Sequence, residues 1–484
     1  MNSEIVDQLE YLFNPRSVAV IGASNSFGKW GSGSFSRLLA SGLKELYPIN
    51  STLSEVSGVK AYTSVTEVEG PIDFAVIAVP TPKVPDTLRE CVAKGIKMGL
   101  IITSGFKEAS GGGELEDEII RIAKSGGMRF VGPNSMGHIN ARNDFCSGPF
   151  IPRIESGHIG LIAQSGNVGT YILQSGIDMG IGFSKFVSSG NEADLHIEDY
   201  IEYLAQDKDT KVIACYIEGL RESQRFLELA REITQQKPIV VLKSGKTYAG
   251  AKAALSHTAS LAGSDVISDA AFRQAGIIRV NEVNELLDVA AALLNQPIPK
   301  GNRVGILSAG GGFGVITADA CERYGLEVAD LSADTIDKID KVLPDRWPRS
   351  NPVDMVAGGF ATYDCLSALL EDDNFDAILA INSVEETRWW RLSFLEYVPD
   401  VLQKEAEAQV TAIDTEELTK LNTMLKSMYK CNKPIFFSRV PGGKTESDIV
   451  EMLRQNDIPM YPTPERVVKV ASYLVGYGKY LNSH

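Results

Sequence analysis

Ile159-Gly-Leu-Ile-Ala-Gln-Ser-Gly-Asn-Val-Gly169 and Arg303-Val-Gly-Ile-Leu-Ser-Ala-Gly-Gly-Gly-Phe-Gly314 carry one pattern twice: an apolar strand, a glycine turn and the start of a helix. Gly160, Gly166, Gly169 and Gly180 recur at a constant offset as Gly305, Gly311, Gly314 and Gly325. Downstream, Lys237-Pro-Ile-Val-Val resembles Lys433-Pro-Ile-Phe-Phe, and Arg273-Gln-Ala-Gly-Ile277 resembles Arg454-Gln-Asn-Asp-Ile458. This part of the chain therefore reads as a duplicated domain. The copies differ in one spacing: 35 positions separate Pro238 from Arg273, whereas 20 separate Pro434 from Arg454. The first copy thus carries a surplus of about 15 residues that the duplicated fold does not require, and a surplus loop is a place to look for function. It contains Ser256-His257-Thr258.

Outward from the repeat, the same alternation runs along most of the chain. Apolar, β-branched runs such as Ser17–Ile21, Phe74–Val79, Lys211–Ile217 and Ala377–Ile381 are separated by helical stretches such as Glu222–Gln235 and Val283–Leu294. That pattern predicts α/β architecture with parallel sheets wrapped by helices. Proline and glycine mark joints near Gly148-Pro-Phe-Ile-Pro152 and Gln296-Pro-Ile-Pro-Lys-Gly301, which divides the chain into residues 1–147, 148–298 and 299–484. A length of 484 residues suits several domains. The 62 acidic against 47 basic residues argue against a nucleic-acid or anionic-membrane surface. Six scattered cysteines without metal-like spacing read as reduced thiols, and no metal site is expected. With no basic, apolar leader and no run near the roughly 18 apolar residues of a membrane span, the expected location is the cytoplasm.

Val18-Ala-Val-Ile-Gly-Ala-Ser-Asn-Ser-Phe-Gly28 is a strand entering a polar turn, similar to a dinucleotide-binding entry but lacking the full GxGxxG. No acidic residue follows the second strand near Tyr47-Pro-Ile-Asn50, where NAD would need one for its ribose. A phosphorylated ligand that is not a dinucleotide is favoured, with purely structural glycines as the alternative. The turns at Ser165, Gly166, Asn167 and Gly169 and at Gly310, Gly311, Gly312 and Gly314 each open a helix whose first N–H groups attract anions. Close strand–helix packing would demand the same glycines; their duplication favours one phosphate shared by both. Of the histidines His138, His158, His196, His257 and His484, only His257 lies among small residues, Gly250-Ala-Lys-Ala-Ala-Leu-Ser-His-Thr-Ala-Ser-Leu-Ala-Gly263. An imidazole on such a loop can accept and return a phosphoryl group. Glu218, ending the strand Val212–Ile217, is the candidate to orient it, against the alternative of a solvated strand-end carboxylate.

Ser256-His-Thr-Ala-Ser-Leu-Ala-Gly263, Val131-Gly-Pro-Asn134, Ser165-Gly166 and Asn351-Pro-Val-Asp354 resemble the α subunits of ADP-forming acyl-CoA synthetases, in the succinyl-CoA synthetase superfamily. The resemblance covers nearly the whole chain. It implies a Rossmann-like CoA-binding domain followed by two flavodoxin-like ligase domains. It also implies His257 as the phosphorylated residue, Glu218 as its orienting carboxylate, and coenzyme A against Gly22, Ser24, Asn25, Ser26, Phe27, Ile102, Thr103 and Ser104. The family's lysine after the second strand is replaced here by Asn50-Ser-Thr52, and the succinyl enzymes' Gly-His-Ala-Gly is absent. The resemblance further implies a separate ATP-grasp β subunit that binds ATP or ADP and Mg, an α2β2 heterotetramer, and a small carboxylic acid as substrate. A CoA-sensing subunit without catalysis is the competing reading, and a dehydrogenase is disfavoured by the missing ribose-binding acid.

Overall fold

A computed structural model describes residues 3–247, 249–250, 265–356, 361–384, 392–439 and 448–483. His257 and its neighbours, Trp389, Trp390 and His484 lie outside the described residues. The chain divides into two units, Met1–Ala290 and Ala291–His484.

The first unit holds two large sheets and a two-stranded hairpin, Glu55–Val56 with Val59–Lys60. In one, five parallel strands lie in the order Glu45–Ile49, Ser17–Ile21, Phe74–Ile77, Met98–Ile101, Arg129–Val131. Ser17–Ile21, Phe74–Ile77 and Met98–Ile101 are buried along their whole length, as strands covered on both faces must be, which is why they read as continuous apolar runs. The chain leaves Ser17–Ile21 toward one edge and returns on its other side at Phe74–Ile77, so the loops after these two strands diverge and leave a crevice at their C-terminal ends.

The second sheet repeats that order: Phe183–Ser188, Ser156–Ala163, Val212–Ile217, Ile239–Lys243 and Ile278–Val280 are parallel, with the reversal between Ser156–Ala163 and Val212–Ile217. His138–Asn140 and Phe145–Cys146 extend it by antiparallel pairing onto Phe183–Ser188, so the segment ahead of Gly148 belongs to this sheet by its hydrogen bonds.

The second unit holds the third sheet, in the same order again: Glu327–Val328, Arg303–Ser308, Ala377–Ile381, Ile435–Ser438, Met460–Tyr461, all parallel. Val353–Asp354 pairs onto the end of Arg303–Ser308. Within it Trp347 is buried, its indole N–H donating to Asp340 Oδ1 at 2.6 Å.

The sequence repeat has a structural cause in each copy. Lys237 Nζ donates to the carbonyls of Leu204 and Asp207 at 2.7 and 2.9 Å, closing the end of the helix Ile197–Gln206. Lys433 Nζ does the same for Leu370 and Asp372, at 2.9 and 2.8 Å, beyond the helix Thr362–Glu371. Each lysine thus satisfies helix-end carbonyls that have no partner within the helix. The Arg-Gln-x-x-Ile motif is likewise a helix end. The N–H of Ile277 reaches the Phe272 carbonyl and that of Ile458 the Leu453 carbonyl, past Gly276 and Asp457 in the left-handed region.

Candidate functional site

The crevice of the first sheet is a cleft of about 1000 Å³. Gly22, Ser24, Ile102, Thr103 and Ser104 line it. Gly22 sits at φ +92°, and a Cβ there would run into the Ala78 carbonyl; one on Gly31 would overlap the Gly22 carbonyl. Strand end and helix Trp30–Ala40 therefore meet backbone to backbone, and no side chain caps that helix start. The arrangement suits a phosphate approaching the helix N-terminus. Thr103 Oγ1 donates to the Val79 carbonyl at 2.7 Å and Thr81 Oγ1 to the Ser104 carbonyl at 2.8 Å, tying together the two loops that form one wall.

Asn25, Ser26 and Phe27 do not line the cleft in this form. The Asn25 side chain donates to the Glu55 carbonyl at 3.1 Å and accepts from the Ser57 N–H at 2.9 Å, while Phe27 is fully exposed. Asn50, standing near the family's missing lysine, donates to the Ala23 carbonyl at 2.7 Å and accepts from the N–H groups of Thr52 and Leu53. Its role is to brace the turn. Positive charge reaches the cleft instead from Lys29 and Lys83, which no sequence pattern marks.

In the second sheet the switch point brings Gln164 and Glu218 together. Gln164 Oε1 accepts from the N–H of Glu218 at 2.6 Å and of Gly219 at 3.0 Å. Its Nε2 donates to the Gly219 carbonyl at 2.7 Å and to Glu192 Oε2 at 3.0 Å. Glu192 is buried, at φ +51°, and its other oxygen accepts from Ser189 Oγ at 2.7 Å. Burial, with the nearby Glu198 adding to it, pushes the Glu192 carboxyl up to about 8. Glu218, Gln164 and Glu192 line a small cavity with Lys107, Glu108 and Arg221.

Directly after Gln164, Ser165 caps the helix Gly166–Asp178, its hydroxyl accepting from the Val168 N–H at 3.5 Å. Gly166 and Gly169 also serve packing: a Cβ on the first would overlap Met136, and one on the second would press on the Phe186 ring. Asn167 faces solvent. In the second unit, Gly310 and Gly312 have open space where a Cβ would be, whereas Gly314 packs on Pro352. A Cβ on Gly311 would lie 3.0 Å from Asp354 Oδ2, so a carboxylate already stands near the start of the helix Gly311–Arg323. Asn351 acts on the backbone, accepting from the Ile306 N–H at 2.9 Å and donating to the carbonyls of Val304 and Ala329. The Asn-Pro-Val-Asp motif thus joins two strands as well as bringing Asp354 to the turn.

The described histidines have structural partners. His196 begins the helix Ile197–Gln206, and His158 Nδ1 meets the Asp209 carbonyl at 2.9 Å. His138 is fully buried, with Nε2 on the Leu12 carbonyl and Nδ1 on Ser147 Oγ, both at 2.8 Å. Its ring is neutral, Nε2 donating and Nδ1 accepting. Burial holds its pKa at about 3, below the ordinary 6.5. Between those values the unfolded chain binds the extra proton, so acidification from pH 6.5 toward 3 destabilises the fold by about 1.4 kcal/mol per unit through this residue. Urea titrations should show a shallower loss over that range in His138→Gln than in the unmodified protein. Identical slopes would exclude His138 as a source of acid sensitivity.

A ligand cleft at the switch point of one doubly wound sheet, followed by sheets of the same order, is the architecture of a CoA-binding module joined to flavodoxin-like ligase domains. Residues 16–141 match the family model for a CoA binding domain, and 156–293 that for a succinyl-CoA ligase like flavodoxin domain. The chain is 41% identical to the α subunit of ADP-forming acetate–CoA ligase II of Pyrococcus furiosus, over 97% of this chain and 98% of that one. It is also 41% identical to the ADP-forming acetate–CoA ligase of Methanocaldococcus jannaschii, over 97% of its own length and 63% of that relative's. Among solved structures it resembles acetyl-coenzyme A synthetase 1 of Candidatus Korarchaeum cryptofilum, described as in complex with phosphate and ADP. The TM-score is 0.83 at 33% identity, over 98% of this chain and 97% of that one. The chain belongs to the ADP-forming acyl-CoA synthetase α subunits, a family of acid–thiol ligases in the succinyl-CoA synthetase superfamily.

Among the described residues no helix is long and apolar enough to cross a membrane. The cysteines are free, and burial pushes the thiols of Cys91, Cys146, Cys215, Cys321 and Cys365 up, away from reactivity.

Proposed function

We propose that this chain is the CoA-binding and phosphoryl-carrying subunit of an enzyme that converts a small carboxylic acid, CoA and ATP to acyl-CoA, ADP and phosphate. A nitrogen of His257 attacks the γ-phosphorus of ATP and ADP leaves. The acid's carboxylate then takes the phosphoryl group from His257, forming an acyl phosphate. The CoA thiol attacks the acyl carbon and phosphate departs with the thiol proton. Each step is reversible, since thioester and anhydride are close in energy. Acetate, in the names of both relatives, is the first acid to test.

The observation that carries this reading is Glu218 at the switch point of the second sheet, tied through Gln164 to the glycine turn beside it. There a carboxylate can hold one imidazole nitrogen in its N–H form while the other attacks phosphorus. Ser165, Gly166, Asn167 and Gly169 offer helix-start N–H groups to the phosphoryl oxygens, and Gly310, Gly311, Gly312 and Gly314 are a second helix start of the same kind in the other unit. A functional division at 1–147, 148–298 and 299–484 goes with these roles. The partner is an ATP-grasp β subunit that binds nucleotide and Mg, in an α2β2 assembly working in the cytoplasm. The test is purification with that partner, followed by a panel of acids assayed for ADP release and CoA consumption; no acid giving both would sink the reading.

For the first sheet, calorimetry should give a micromolar or tighter constant for CoA and no measurable heat with NAD. The cleft offers Lys29 and Lys83 to phosphates, and its second strand is followed by Asn50 rather than an acid. Tight NAD binding without CoA binding would reverse the assignment.

A further inference from the structure

We infer that Gln164 is the positioning residue that sets the distance between Glu218 and the Ser165–Gly169 turn, with Glu192 as its buried anchor. The inference rests on the phosphohistidine reading above and assigns a further residue to it. A strand end and a helix start belong to different elements, and in an open α/β sheet their loops diverge at the switch point. Backbone hydrogen bonds between Ser156–Ala163 and Val212–Ile217 stop there, after the one from the Gln164 N–H to the Tyr216 carbonyl at 3.2 Å. Beyond it one amide side chain takes over. It accepts from two successive N–H groups, of Glu218 and Gly219, and donates to the Gly219 carbonyl, as a paired strand would.

The remaining donor of Gln164 is spent on Glu192, which is fixed from several directions. Its oxygens take Ser189 Oγ and Gln164 Nε2. Its flanking N–H groups, of Asn191 and Ala193, reach the carbonyls of Pro133 and Gly132 at 2.9 and 3.0 Å. A glutamate at φ +51° is uncommon, and such conformations persist where the surroundings over-determine them, often beside active sites. Arg221 adds to this by donating to the Asn191 carbonyl at 2.5 Å. The anchor is therefore rigid, and rigidity is what a catalytic carboxylate needs, because a displacement of about 1 Å can cost 10²-fold in rate.

Exchange of the two partners separates positioning from packing. Gln164→Glu keeps the shape but sets an acceptor against the Gly219 carbonyl, and it leaves the contact with Glu192 to a single proton held between two carboxyls. Combining it with Glu192→Gln replaces that shared proton by a fixed amide donor between the two positions. In the complex with the partner subunit, γ-labelled ATP and Mg should phosphorylate the Gln164→Glu variant about 10²-fold more slowly than the unmodified protein. CoA affinity, read in the same unit, should stay within about twofold. The double exchange should recover at least about tenfold of the lost rate, a non-additivity that independent sites do not show. Gln164→Asn, which keeps the amide but is one methylene short, should lose label like Gln164→Glu and serves if the latter does not fold. An unmodified complex that takes no label overturns the phosphohistidine reading and this inference with it. A complex that labels normally, with Gln164→Glu labelling at the same rate or the double exchange recovering nothing, overturns the inference alone.

Discussion

His257→Ala is expected to abolish acyl-CoA synthesis in the complex, by about 10⁴-fold or more, as removal of a nucleophile does elsewhere. The described histidines are all engaged in the fold. His138 is locked in a core with both nitrogens engaged, and His158 and His196 are bound to a backbone carbonyl and a helix start. A label from the γ-phosphate of ATP, stable in base and labile in acid, should vanish with the substitution. The fold should survive, because the segment around His257 is the surplus that the second copy of the duplicated domain does without. Unchanged melting and a CoA affinity within about twofold of the unmodified protein check that expectation. Persistence of the acid-labile label would assign the phosphate to another residue.

The architecture was legible because its signals are local. Apolar runs and glycine turns mark parallel strands in any surroundings, and the duplicated Lys-Pro pairs survive because each lysine performs the same task on the carbonyls of the preceding helix. Gly22 was legible for the same reason: its φ and its approach to Ala78 are set within one strand–turn–helix unit. Asn25 was not. Whether that side chain faces a ligand or the backbone of residues 55–57 depends on a hairpin thirty positions away in the chain, and here it faces the hairpin. Lys29 and Lys83 carry no motif, and only the folded cleft sets them apart from other lysines. The pairing of Gln164 with Glu192 was missed for a related reason. In Gln-Ser-Gly and Gly-Asn-Glu they look like turn residues bound for water, and burial of the glutamate appears only when the strands are assembled.

The second large effect falls on Glu218. Glu218→Gln preserves size and leaves the backbone N–H bonded to Gln164, so any loss reports on the carboxylate itself. A neutral amide can present its NH₂ to the imidazole as readily as its oxygen, and the ring is then free to take the wrong tautomer or to turn away. In triads built on a carboxylate and a histidine, the equivalent change costs about 10⁴-fold. A loss of about 10²- to 10⁴-fold in phosphorylation rate is expected here, the lower end applying if other groups help to hold the ring. Tyr216 bears on the carboxylate. Burial first, and then the adjacent Glu218 carboxylate, push its phenol up, so it remains a hydroxyl donor beside the site at neutral pH. Tyr216→Phe should therefore have a smaller effect, of about tenfold or less, by loosening the carboxylate rather than removing it. Rapid-quench labelling with γ-labelled ATP measures both variants. Labelling of Glu218→Gln at the unmodified rate would show that the strand-end carboxylate takes no part in orienting the ring, and His257 would then need its orienting partner from elsewhere.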